Sequence, residues 1–296
     1  MPELAAIVVN YNAGDELRLA LLSIAAECDG IDWEAVVVDN ASTDGSAAIV
    51  SSLPPRVSLI SNDVNVGFGR AVNQAVAASA APLLLLVNPD CQLRSGALPA
   101  LRAVLDAEPS CAIVGPRILD PDGSVQGSAR GDPDMLTGLF GRTGGLRSRL
   151  PFTSVARRNV VVDGAIASGA ATVEVDWVSG ACMLIRRAAL RTVSGFDEGY
   201  FLYWEDADVC RRLRQHGHQI RYVPGATAVH TVGRSSRRAR ASSIRAFHAS
   251  AYRYYATHVA PGAFNPKRPI ARALLAARCW LKLRASNLED RSNPEP

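Results

Sequence analysis

The 296-residue chain contains no C-x-x-C pair. Its six cysteines, Cys28, Cys91, Cys111, Cys182, Cys210 and Cys279, are scattered singly. That excludes a zinc ribbon or a thioredoxin-like centre and fits isolated thiols in a reducing compartment. No apolar run approaches ~20 residues, so no segment reads as a membrane-spanning helix. The opening "MPELAAIVVNYN" has no basic leader and turns polar within ten residues, unlike a signal peptide. These absences together predict a cytoplasmic protein. A net charge of +4 is too small to define a nucleic-acid binder, and no nucleic-acid motif is visible. Nucleic acid therefore ranks last among the expected partners.

What is present is apolar and orderly. With 48% hydrophobic residues, the chain can bury a sizeable core. Its length suits one large domain or a domain with an appendage. Short apolar runs occur at residues 4–10 ("LAAIVVN"), 35–39 ("AVVVD"), 57–61 ("VSLIS") and 83–88 ("LLLLVN"). Apolar runs without alternation suit strands covered on both faces, as in a parallel sheet. Helical patterns lie between them: "ELRLALLSIAAEC", with Asp15 as its cap, then "TDGSAAIVSSL" and "FGRAVNQAVAASA". The alternation predicts a doubly wound α/β fold, a mostly parallel, Rossmann-like sheet flanked by helices. Such sheets bind ligands beyond the carboxyl ends of their strands.

Those carboxyl ends are uniformly polar: Asn10-Tyr11-Asn12, Asp39-Asn40, Asn62 and Asn88-Pro89-Asp90. Any one of them reads as an ordinary turn. Four alike point to a shared site. Residues 120–170 are rich in Gly, Ser, Arg and Asp, the composition of a functional lid or a disordered segment. Beyond them, "VEVDWVSGACMLIRRAAL" returns to strand and then a helical turn. "WEDADVCRRLRQHG" reads as a helix with acids in its first turn, and "QIRYVPG" as a last strand, with "ATAVH" leading to His230.

Five stretches in order, "IVVNYN", "VVVDNASTDGS", "NVGFGRAVNQA", "LLLVNPD" and "GFDEGYFLYWEDADVCRRLRQHG", resemble glycosyltransferase family 2 with the GT-A fold. The "NPD" form is similar to the rhamnosyltransferase-like branch. The resemblance covers residues 5 to about 232, so residues 1–232 are expected to form the catalytic domain and 233–296 a basic helical extension with a disordered tail. It implies an inverting transfer of a sugar, L-rhamnose from dTDP-rhamnose being favoured, onto a hydroxyl of a glycan or a polyprenyl-diphosphate-linked acceptor in cell-surface polysaccharide synthesis. A UDP-hexose donor on the same fold is the nearest alternative. A non-catalytic sugar-nucleotide-binding protein is the alternative from another class.

The resemblance also implies roles. The nucleotide would be met by Asn10, Asn12, Asp39, Asn65, Gly67, Arg70, Asn88 and Asp90, with Asp39 accepting from the pyrimidine N–H. On the residues alone, Asp39 and Ser42 equally shape a turn and cap a helix. Glycine at position 67 would let backbone approach ligand, and Arg70 would meet phosphate or base. Asp90 of "NPD" stands where the family carries D-x-D, and with His230 it would hold Mg²⁺ or Mn²⁺. Asn88 replaces the first acid, which weakens the claim on metal. Asp206 would be the base, with Glu205 orienting the acceptor or holding a basic partner. Trp177, Ser179, Gly180 and Trp204 would line the acceptor side, whereas Phe201 and Tyr203 serve equally as core.

The C-terminal quarter concentrates basic residues. At about 100° per residue, Lys267, Arg268, Arg272, Arg278 and Lys282 share one arc of a helix, and Ile270, Leu274, Ala277, Trp280 and Leu281 the other. Leu275 and Arg284 break the pattern. A membrane surface on the inner face of the plasma membrane, a homodimer contact and a helix laid on its own core all fit this pattern.

Overall fold

Strand β1 (Leu4–Asn10) is buried along its whole length. Its alternate side chains feed two separate cores. Ala5, Ile7 and Val9 face one layer, Leu4, Ala6 and Val8 the other. A strand between two helical layers needs apolar residues at every position, which is why "LAAIVV" does not alternate. A computed structural model describes residues 1–54, 56–132, 171–231 and 240–292. The expected lid across 120–170 lies outside the described residues from position 133 on, as do Arg234, Arg237, Arg238 and the last residues of the tail.

The main sheet runs β3 (Val57–Ser61), β2 (Trp33–Asp39), β1, β4 (Leu83–Val87), β10 (Cys182–Arg186), β6 (Cys111–Leu119), β11 (Gln219–His230) and β5 (Cys91–Leu93). A short β8 (Val173–Glu174) pairs with β11, and β7 (Ala129–Arg130) pairs with β9 (Trp177–Val178) in a separate ribbon. Helices α2 (Phe68–Ala78), α4 (Arg187–Thr192) and α5 (Glu205–Gln215) bury side chains in one core. Helices α1 (Glu16–Glu27) and α3 (Ala97–Ala107) cover the opposite face.

Several local expectations change. The sheet is mixed, because β10 enters antiparallel between β4 and β6. Strand β3 is the edge and is half exposed, so it is not covered on both faces. "SAAIVSS" forms a 3₁₀ helix, with Asp44 accepting from the Ser46 amide at its start. Asp15 makes no side-chain cap to α1 and has helical backbone angles itself. "QIRYVPG" and "ATAVH" are one strand, and its pairing with β6 breaks between Val223 and Thr227. Pro224, in that break, cannot donate to a ladder. All six cysteines are free thiols. Burial pushes Cys28 and Cys210 up to about 12 and Cys111 to about 11, so these three stay protonated.

Helices α6 (Arg240–Tyr254) and α7 (Lys267–Ser292) pack beyond residue 232, and a buried polar network ties them to the first domain. Asp208 on α5 is 1% exposed. Its carboxylate accepts from Arg212 Nε at 2.7 Å and from Tyr200 Oη at 3.3 Å, and it meets His258 Nε2 at 2.6 Å. Arg211 reaches the Tyr254 hydroxyl and the His258 carbonyl. Burial pushes the Asp208 carboxyl up, yet the His258 hydrogen bond and the Arg212 guanidinium outweigh it and hold the group below the usual carboxylate range. A carboxyl depressed in the folded state stabilises the fold above its unfolded pKa. That contribution is lost as pH falls through the folded value. Asp208→Asn is expected to cost about 3–5 kcal/mol at neutral pH, the cost of stranding buried partner charges. The gap to the unsubstituted protein should narrow below about pH 4. Urea unfolding at neutral and acid pH measures both; an equal gap at both would refute the linkage.

Candidate active site

Strands β1, β2 and β4 run parallel, so Asn10, Asp39 and Asn88 leave the sheet on one side. Asn10 and Asp39 are direct partners in register. Asn10 is fully buried, and its Nδ2 donates to Asp39 Oδ1 at 2.6 Å and to Ser46 Oγ at 2.8 Å. Asn10 therefore holds Asp39 in place. Asp39 Oδ2 accepts from the Ser42 amide at 3.0 Å. Each carboxylate oxygen keeps a second acceptor position. Asn12 has a left-handed backbone (φ 54°), and its Oδ1 accepts from the Thr43 amide at 2.8 Å. It pins the "NASTDGS" loop over the end of β1.

The turn after β3 serves the protein itself. Asn65 Oδ1 accepts from the Gly67 amide at 3.0 Å. Gly67 has φ +90°, and a Cβ there would lie 2.7 Å from the Phe201 carbonyl oxygen. The glycine admits the Phe201 backbone, whose carbonyl accepts from the Phe68 amide at 2.8 Å; the expected approach was of ligand. Arg70 is ion-paired to Glu198 at 2.8 Å on the surface, so its guanidinium is directed at a carboxylate.

The Asn-Pro-Asp turn leaves β4 and starts β5, which pairs antiparallel with the end of β11. That register sets His230 opposite Cys91, so Asp90 reaches the histidine across 140 residues of sequence, with Asp90 Oδ1 3.1 Å from His230 Nε2. Asn88 Nδ2 lies 3.4 Å from the same ring nitrogen. On the other side of the ring, Nδ1 meets Gln126 Oε1 at 3.2 Å, and Gln126 Nε2 donates to the His230 carbonyl at 2.9 Å. Gln126 is a positioning residue that no motif announces, since its surroundings read as loop. A hard carboxylate oxygen beside an imidazole nitrogen held by its other face suits Mg²⁺ or Mn²⁺ completed by water and phosphate. Among the described residues no group of three or more His, Cys, Asp or Glu forms a cage.

Asp206 opens α5 and is 8% exposed. Its Oδ2 accepts from the Gly180 amide at 3.2 Å and its Oδ1 from the Ala207 amide at 2.8 Å. Gly180 is followed by Ala181, whose carbonyl accepts from the Asn88 amide at 2.9 Å. Two consecutive residues thus hold the Asp206 carboxylate and the Asn-Pro-Asp turn. Glu205 is buried beside Asp206. Ser179 is half-buried in the same turn. Trp177, expected to line the acceptor side, is buried in the core, and its indole N–H donates to the Gly131 carbonyl at 3.0 Å.

Tyr203 and Trp204 both have positive φ, 68° and 71°, immediately before Glu205. Such residues cost on the order of 1–3 kcal/mol each and persist only where the surroundings enforce them. The enforcement comes from α6. Phe247 packs 5.8 Å and Tyr254 5.3 Å from the Trp204 ring, and Ser250 Oγ donates to the Leu202 carbonyl at 2.9 Å. Trp204 is thus braced by the C-terminal helices, a contact across the expected boundary at residue 232.

Strands that end in Asp39 and Asn-Pro-Asp, followed by a helix whose first turn carries Asp206, sit in the fold of GT-A glycosyltransferases. Solved structures share the fold. The mannosyltransferase PcManGT from Pyrobaculum calidifontis, in complex with GDP-Man and Mn²⁺, superposes with a TM-score of 0.59 at 17% identity, covering 99% of this chain and 81% of that one. Residues 1–349 of S. aureus TarS give 0.56 at 16% identity, covering 93% and 70%. The model for glycosyl transferase family 2 matches residues 5–193, and that for glycosyl transferase family group 2 matches 149–287. An N-acetylglucosaminyl-diphospho-decaprenol L-rhamnosyltransferase of Mycobacterium tuberculosis (strain ATCC 25618 / H37Rv) is 34% identical over 297 residues, covering 96% of this chain and 94% of that protein. A rhamnosyltransferase of Escherichia coli (strain K12) is 40% identical over 82 residues, 28% of this chain and 31% of that one. The chain belongs to glycosyl transferase family 2, in its rhamnosyltransferase-like branch, and is an inverting glycosyltransferase.

Gly67→Ala is expected to displace the 201–204 turn, lowering both transfer rate and stability, the latter by about 1–3 kcal/mol. Thermal unfolding and a transfer assay measure it; unchanged values in both would mean that the Phe201 contact does not hold the start of α5 in place.

Proposed function

We propose that the protein transfers L-rhamnose from dTDP-L-rhamnose to a hydroxyl of a polyprenyl-diphosphate-linked N-acetylglucosamine, with inversion. The observation that carries the reading is the shared support of Asp206 and the Asn-Pro-Asp turn by Gly180 and Ala181. It sets a base and a diphosphate-binding turn on one rigid element, as a displacement between them requires. The lipid-linked acceptor is supported by the Mycobacterium tuberculosis relative, which matches this chain nearly end to end.

In this reading Asp39 accepts from the pyrimidine N–H through its spare acceptor position, with Asn10 and Ser42 keeping the carboxylate aimed. Asn65 and Gly67 shape the wall of the nucleotide pocket, and Arg70 guards its rim while paired to Glu198. Asp90 and His230 would hold Mg²⁺ or Mn²⁺, with Asn88 beside them. When bound, the ion offsets negative charge on the departing diphosphate. Asp206 takes the proton of the acceptor hydroxyl. That oxygen forms a bond to the anomeric carbon as the bond from that carbon to the diphosphate oxygen breaks, and the nucleoside diphosphate leaves with the electron pair. No second carboxylate acts as nucleophile, unlike a retaining double displacement. Glu205, Ser179 and Gly180 face the acceptor, and Trp204 forms its edge.

Asp206→Asn is expected to lower turnover by about 10²–10⁴-fold while leaving the nucleotide-induced thermal shift intact. Retained turnover would remove Asp206 from the base role and reopen the binding-protein reading. A donor panel with and without EDTA tests the rest. dTDP-rhamnose binding that EDTA weakens, and weakens little further in Asp90→Asn, is the expected result. Preference for a UDP-hexose would keep the enzyme class and overturn the rhamnose assignment.

A further inference from the structure

Helix α7 lies on the protein with the wrong face for a helix folded onto its own core. The residues it buries are Ala271, Leu275 and Ser286, with Arg268 and Arg278 alongside them half-buried. Arg268 donates to the carbonyls of Ala260 and Ala256, and Arg278 stacks over Phe247. The basic arc therefore includes the docked side. The apolar arc faces outward: Ile270 is 60% exposed, Leu274 42%, Trp280 51% and Leu281 59%. Phe264, just before the helix, is 98% exposed. The two residues that broke the helical pattern are explained. Leu275 is the buried anchor, and Arg284 stacks 3.9 Å over the exposed Trp280 ring.

We propose that this outward face of α7, with Phe264, docks the enzyme on an anionic lipid bilayer. Contiguous exposed apolar side chains on one helix mark an interaction site. The charge around them selects the occupant. Between residues 209 and 288 the chain holds sixteen Lys and Arg and no Asp or Glu. Helix α7 itself carries seven Lys and Arg against two acids, Glu289 and Asp290 near its end, so a second copy of this helix would bring mostly cations against cations and a symmetric dimer across this face is disfavoured. An anionic lipid surface supplies the missing negative charge and takes Trp, Leu and Ile to the headgroup boundary. No described helix is long and apolar enough to cross a membrane, so the mode is surface docking. The inference goes beyond the assignment of donor and acceptor and does not require it.

The test is co-sedimentation of the full chain with vesicles of phosphatidylcholine alone or mixed with phosphatidylglycerol, together with tryptophan emission. Trp33 and Trp177 are buried and Trp204 is half-buried against α6, so loss of the blue shift in Trp280→Phe assigns it to the exposed Trp280. The expected result is binding and a blue shift on the mixed vesicles only, weakened by salt. The double variant Ile270→Ser/Leu281→Ser should lose binding with unchanged thermal unfolding. Arg284→Glu should weaken it by about fivefold or more. Overturning results are no binding to the mixed vesicles, equal binding by the double variant, or a concentration-dependent dimer that the double variant abolishes. Nucleotide binding by each variant tells loss of docking apart from loss of the donor site.

Discussion

The hydrogen bond from the Gly180 amide to Asp206 is the constraint on which the rest of the site depends. It fixes a carboxylate at the start of α5 to the same turn that receives the Asn88 amide through Ala181. A buried carboxylate and the Asn-Pro-Asp turn, drawn from positions more than a hundred residues apart, become one rigid unit. The central sheet makes this feasible. Because β10 runs antiparallel to β4, the chain reaches residue 182 at the end of β4 where Asn88 emerges. A parallel β10 would have delivered the Gly180 turn to the opposite edge.

Strain and bracing form the second theme. Tyr203 and Trp204 adopt left-handed backbone immediately before Glu205, and nothing in their own residue types favours it. The rings of α6 hold them there. Asp208 then anchors α5 to His258. Two residues along a helix turn Asp208 about 160° from Asp206. One face of the helix thus presents Asp206 while the other is tied to the C-terminal helices. The extension is part of what keeps the start of α5 in place.

Much was legible in the sequence, for identifiable reasons. The uninterrupted apolar runs at 4–10 and 83–87 specify strands covered on both sides, and both are buried throughout. The polar strand ends specify a site at the carboxyl edge, and Asp39 and Asn88 do emerge there. Individual roles were less legible. Gly67 reads as a ligand-facing glycine until the Phe201 backbone occupies the space. Trp177 reads as an acceptor contact until its indole is found paired inside the core. Gln126 carries no signal, since its partner His230 lies 104 residues away.

The sequence by itself determined the strand and helix order, the family, and the residue types at the carboxyl edge, because periodicity and local turn chemistry are written in adjacent residues. Only the tertiary structure decided which of those residues share a partner and which way α7 faces. The pairing of β5 with β11 brings Asp90 to His230, and a few buried residues, Ala271 and Leu275 among them, roll the apolar arc outward. Both outcomes follow from packing between distant segments, where register and burial are settled by the whole molecule and local preference has no vote.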